Sequence, residues 1–261
     1  MAKKFENPLI RNARMREMYV AMVEGRMLAK HLRRASAGLG KGLEACWVAT
    51  AIDLRDGDLT SDAGAGPVPG YVRNGERSKA KVLKAALAAG PVAGRLDAVD
   101  DPVERLWCAV GAGLALKAAV LEEGETRGVV VAYARAGELK AAEWKRVLAG
   151  AKDAPVVFVL LPDEGDSAAV AELAGKCGVP GIPVDAADAV AIYRVAQESI
   201  VRARADGVAA LIAAVRLDEK SDPVKVLGEQ IIAKQVASAA WVGGVVAKFQ
   251  KRMAAGSVRV H

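Results

Sequence analysis

Histidine is almost missing from this chain of 261 residues, which has only His31 and His261. A multi-histidine metal site within one chain is therefore excluded. Cysteine is nearly as scarce: Cys46, Cys108 and Cys177 are odd in number, far apart and never spaced C-x-x-C. Disulfide scaffolds and zinc ribbons are thereby ruled out as organising themes. Long apolar runs are missing too. The longest, Leu106 to Leu116, ends at Lys117 and is too short to cross a bilayer. The opening Met-Ala-Lys-Lys-Phe-Glu-Asn-Pro has no apolar stretch after its lysines and does not read as a secretory signal. These absences predict a soluble chain in a reducing, cytoplasmic setting with no membrane role.

Aromatic residues are also few, at 4%, whereas hydrophobic residues make up 52%, mostly small and aliphatic. That composition can fill a sizeable core and excludes wholesale disorder. Small aliphatic side chains suit helices packed on a parallel sheet. The net charge of +6 first suggests nucleic acid, but its location argues otherwise. Residues 1–36 hold nine basic and three acidic residues, and the other 225 hold 28 of each sign. The chain reads as a neutral body with a basic leading segment, more simply a solvated helix face or subunit contact than a nucleic-acid surface. It has no phosphate-binding P-loop, zinc finger or RNA-binding aromatic signature, so no nucleic-acid partner is expected.

Residues 10–35 show helical periodicity, with Met15, Met18, Tyr19, Met22, Met27, Leu28 and Leu32 on one stripe. Such a Met-rich stripe is more often core or interface than ligand surface. Further helices are expected over 43–54, 79–89, 102–121, 138–150, 167–176 and 187–205, and over most of 223–253. Residues 55–76, rich in Asp, Gly and Pro, read as a long loop. Apolar runs at 128–133, 155–161, 181–184 and 208–215 read as buried strands. Strands alternating with helices predict βαβ units, a doubly wound, mainly parallel sheet and right-handed crossovers. The chain is read as one domain: a helical part over 1–100, a sheet core over 101–222 and a C-terminal helix and tail over 223–261. Ligands of such sheets bind beyond the strands' carboxyl ends. That directs attention to Ala134-Arg135-Ala136-Gly137, Pro162 to Asp166, Asp185 to Asp188 and Arg216 to Asp222.

Several local patterns resemble one family over nearly the whole chain. They are Met18-Tyr19 through Arg26, Gly42-Leu43-Glu44-Ala45 with Arg55-Asp56-Gly57-Asp58, Val110-Gly111-Ala112-Gly113-Leu114-Ala115-Leu116-Lys117, the stretch from Trp144 to Val159, and Gly181-Ile182-Pro183-Val184-Asp185. Together they are similar to the alpha subunit of the thiamine-diphosphate-dependent, decarboxylating component of 2-oxo acid dehydrogenases. The resemblance implies a thiamine-diphosphate-binding fold, an α₂β₂ heterotetramer with a beta-like subunit, a lipoyl-bearing acyltransferase partner and oxidative chemistry on 2-oxo acids.

The same resemblance locates the cofactor positions, and they are altered. The family's metal-ligating Asp falls on Ala134, a methyl group, and its metal-ligating Asn on Asp163. Arg135 stands where the metal's charge would be and would repel it. The family's Tyr-Arg pair falls near Gly64-Ala65, and its His-containing loop is shortened to Arg216 through Pro223 with no His. Ala134, Arg135 and Asp163 are thus degenerate cofactor positions, with no catalytic residue identified. Thiamine diphosphate and Mg are expected only if that degenerate site still binds.

The expectation is a pseudoenzyme: a structural or regulatory alpha-like subunit pairing with a beta-like subunit, in a hetero-oligomer or as a homodimer. One alternative is an active subunit with an unusual site. Another is a metal-independent anion-binding module, with Arg135 and the following helix N-terminus holding a phosphate; the simpler role for Arg135 is a salt bridge to Asp163. The carboxylates of Asp163, Glu164 and Asp166 read as a cap for the helix from Ser167 rather than as paired acids, and Cys177 as inert.

Overall fold

The computed structural model of the protein describes residues 10–32, 42–62, 69, 72, 94–123, 126–162 and 165–256. The expected helix over 79–89 and the loop positions Gly64, Ala65, Tyr71 and Arg73 lie outside them. Among the described residues five strands form one sheet: β1 (Leu59–Ser61), β2 (Val130–Arg135), β3 (Val156–Leu161), β4 (Gly181–Asp185) and β5 (Ala210–Val215). All pairings are parallel, in the order β1-β2-β3-β5-β4. Among the described residues the helices are α1 (Asn12–Leu32), α2 (Glu44–Ala51), α3 (Pro102–Ala118), α4 (Ala141–Ala151), α5 (Ser167–Lys176), α6 (Ala189–Asp206), α7 (Pro223–Ala233) and α8 (Ala239–Gly256).

The strands are apolar on both faces because helices cover both. Val131, Tyr133, Val157, Val159, Leu161 and Ile212 face a layer built from α1, α2, α6, α7 and α8. The alternate residues Val130, Ala132, Val156, Phe158, Leu160 and Leu211 face α3, α4 and α5. The sheet is therefore doubly wound, as its composition and alternation predicted. Met15, Met18 and Met22 are fully buried in the first layer, so the methionine stripe is core.

Boundaries differ from the sequence reading in informative ways. β1 lies inside the stretch read as a loop. Its Leu-Thr-Ser is too short to show periodicity, and the strand exists because it pairs with β2 through Leu59 and Val130. β2 runs two residues later than expected, so Ala134 and Arg135 belong to the strand rather than to the loop after it. The last helical stretch is two helices, broken where Gln235 takes a left-handed φ of 55°.

Three arginines of the basic leading segment serve the chain internally, which gives that part of the excess a use other than an outer surface. Arg14 pairs with Glu17 and Asp53, Arg16 donates to the Val236 carbonyl, and Arg26 pairs with Glu44 and Asp222.

At the amino end of the sheet, Asp58 is fully buried. Its carboxylate accepts from Arg204 Nη1 at 2.8 Å and Nη2 at 3.0 Å, from the Val129 N–H at 3.0 Å and from the Arg55 N–H at 2.6 Å. Arg204→Ala would strand this carboxylate, and breaking a buried pair in that way costs about 3–5 kcal/mol. Urea unfolding should show a loss of that size; a loss below about 0.5 kcal/mol, the level of an exposed pair, would contradict the burial described.

Candidate functional site

The chain reverses direction along the sheet once. β1, β2, β3 and β4 are joined by α3, α4 and α5 on one face. The step from β4 back to β5 runs through α6 on the other face. β3 and β5 are neighbours, yet β3 leads to α5 and β5 to α7, on opposite faces. Such neighbours part at their carboxyl ends and leave a crevice. A cleft of about 330 Å³ lies there, lined by Pro162, Gly165, Asp166, Ser167, Ala168, Ala214, Val215 and Arg216.

Of the positions that the resemblance would assign to the cofactor, Ala134 and Arg135 lie elsewhere. Ala134 is fully buried on the face of α3 and α4, beside Ala132 and Val130. Its side chain points into the helical layer rather than out from the strand end. Arg135 pairs with Glu138 at 3.2 Å, and Glu138 also takes Arg105 of α3. The i+3 spacing of Glu138 from Arg135 is the one local sign of this pair in the sequence. Asp163 and Glu164, with the expected Arg135–Asp163 pair, lie outside the described residues.

The loops after β2 and β3 press together. Gly165 has φ +78°, and a Cβ there would stand 2.3 Å from the Gly137 nitrogen and 2.8 Å from its Cα. Only glycine tolerates both that conformation and that approach. The Trp144 indole, donating to the Ala136 carbonyl at 3.0 Å, holds the β2 loop in place. Ala134, the position matched to a metal ligand, offers no ligand atom, and Gly165 stands directly against the Gly137 backbone beside it.

The residues that carry the family resemblance have structural roles. Arg26 and Glu44 come from two separate motifs and meet at Asp222. Arg26 Nε donates to Glu44 at 2.7 Å, and Nη1 and Nη2 donate to Asp222 at 2.9 and 2.7 Å. The second Glu44 oxygen accepts from the Gly42 N–H at 2.9 Å, and Asp222 also caps α7 through Val224 and Lys225. Asp185 accepts from the Ala187 N–H and Asp188 caps α6. At Gly181 a Cβ would lie 2.1 Å from the Ala171 carbonyl oxygen, so β4 touches α5 directly. Asp166 caps α5 through the Ala169 N–H at 3.0 Å, as expected. Cys177 is half-buried, its thiol near the Lys145 carbonyl.

Titration follows these contacts. Burial works against the charge of Arg26, but Glu44 and Asp222 outweigh it and raise its pKa further. Burial pushes the Asp222 carboxyl up, yet the hydrogen bonds from Arg26 and from the Lys225 and Val224 N–H groups win, and its pKa is lowered. Burial, then the hydrogen bond to Asp53, pushes Tyr193 up to about 12. Burial also raises Tyr133, whose hydroxyl meets Thr50 Oγ1 at 2.8 Å in the core.

Among the described residues no helix is long and apolar enough to cross a membrane. No protein-family model matches the chain, and no curated protein matches its sequence.

A depressed carboxyl stabilises the fold fully above its unfolded value, here 3.8, and that contribution is lost as pH falls through the lower folded value. The parent should therefore be more stable than Asp222→Asn at pH 6, with the gap closing below pH 3.8. A pH series of urea unfolding curves tests this; a gap that is constant down to acid pH would mean that the Asp222 charge contributes nothing.

Proposed function

We propose that this chain is an alpha-like subunit of the 2-oxo acid dehydrogenase decarboxylating type that has given up cofactor chemistry and acts structurally, paired with a beta-like subunit. The finer fold assignment, a thiamine-diphosphate-binding fold, belongs to the same proposal. The observation that carries it is the contrast between two sets of positions. Arg26 and Glu44, drawn from two resemblance motifs, form one ion-pair node with Asp222. Ala134, the position matched to a metal ligand, is a buried methyl beside two loops in backbone contact. Residues that hold the scaffold together are kept, and those that would anchor the cofactor are not.

The outer face of α3 supports the pairing half of the proposal. Trp107 and Leu114 are 41% and 44% exposed, Cys108, Gly111 and Ala115 lie open beside them, and no charge interrupts the helix between Arg105 and Lys117. An uncharged apolar helix face of this kind fits a subunit contact better than water.

Co-expression with a beta subunit of this enzyme class from the same source tests the proposal. Light scattering should show a hetero-oligomer that Trp107→Lys with Leu114→Lys abolishes, and the complex should not decarboxylate 2-oxo acids. Two results would overturn the reading: the chain staying apart from the beta subunit, or the complex turning over a 2-oxo acid.

A further inference from the structure

Ser199 stands in the body of α6 and is only 3% exposed. A serine within a helix commonly turns its hydroxyl back onto the carbonyl four residues earlier, here that of Val195. This one does not: among the described residues Ser199 Oγ has no hydrogen-bond partner. A hydroxyl withdrawn from water and left unpaired costs free energy. The helix gives no reason to keep it, since alanine is the better helix former.

Ser199 also lines a cavity of about 30 Å³. One wall is made where β4 and β5 begin, at Pro180 and Ala209, and Ala203 adds to it from the next turn of α6. Glu198 and Arg202, both exposed, line the cavity on its solvent side. It lies at the amino end of the sheet, the opposite end from the crevice between β3 and β5. Every lining residue is among those described. The buried hydroxyl and the cavity are thus two separate features that coincide.

Size and polarity select the occupant. A single water needs roughly 10–15 Å³, so a cavity of about 30 Å³ admits one or two waters and is far below the size of an organic-ligand site. A purely apolar void stays dry. This one presents a hydroxyl that can both donate and accept, with two charged side chains at its rim. We propose that the cavity between α6 and the first residues of β4 and β5 is a hydration site, in which a bound water completes the Ser199 hydroxyl. The water then belongs to the joint between α6 and the edge of the sheet. The site needs only this chain and no partner subunit, so it stands or falls separately from the subunit reading.

The sign of a stability change separates a completed hydroxyl from a stranded one. With a water bound, Ser199→Ala removes a hydrogen bond, and the urea midpoint should fall by about 0.3 M. With the hydroxyl merely stranded, the same substitution removes an unpaired polar group and the midpoint should rise. Crystals of the parent should show a water oxygen at about 2.8 Å from Ser199 Oγ. That oxygen should be missing from Ser199→Ala crystals. Xenon, which enters dry apolar cavities, should stay out of the parent's cavity under pressure. The proposal is overturned if the midpoint holds or rises, if no oxygen stands beside Ser199, or if xenon occupies the cavity.

Discussion

The Arg26 guanidinium holds together the helical layer on one face of the sheet. That layer is assembled from opposite ends of the chain: α1 and α2 precede every strand, and α7 follows the last. A parallel sheet buried on both faces cannot leave one uncovered, so these distant helices must meet. Arg26 reaches Glu44 at the start of α2 and Asp222 at the start of α7, and Asp222 in turn caps α7. Glu44 is almost wholly buried, so the pair requires good geometry to offset desolvation, and the bidentate contact to Asp222 provides it. The buried methionines of α1 and the Tyr133–Thr50 contact beneath them rely on that layer staying closed.

The sheet itself positions the chemistry. Its one reversal, between β4 and β5, separates the exits of β3 and β5 and opens the crevice there. Between β2 and β3 both exits lead to the same face, and their loops meet at Gly137 and Gly165. The open and closed strand ends thus follow from topology, and the fate of any ligand site follows from which pair of ends its residues occupy. Ala134, Arg135 and Glu138 belong to the closed pair; Ser167 and Arg216 belong to the open one.

Much of the architecture was legible in the sequence because it rests on local patterns. Val156–Leu161 is an unbroken apolar run, and the caps at Asp166, Asp188 and Asp222 stand directly before helical stretches. What was not legible depends on distant pairing. Leu59–Ser61 becomes a strand only because β2 lies beside it. The end of β2 is set by pairing Arg135 with Leu161 rather than by composition, and this moved Ala134 and Arg135 from loop to strand. At the crevice, Arg216 was visible as a strand-end residue, but nothing local marks Ser167 beyond its place after a cap; that it lines the same cleft shows only in the folded chain.

The proposal is that stretches resembling an enzyme subunit serve here as scaffold, without a cofactor anchor. Calorimetric titration of the purified chain with thiamine diphosphate in excess Mg tests it most directly. No saturable heat and no change in Tm are expected. Stoichiometric binding with a matching rise in Tm would contradict it, because a ligand that binds only the folded state must stabilise that state.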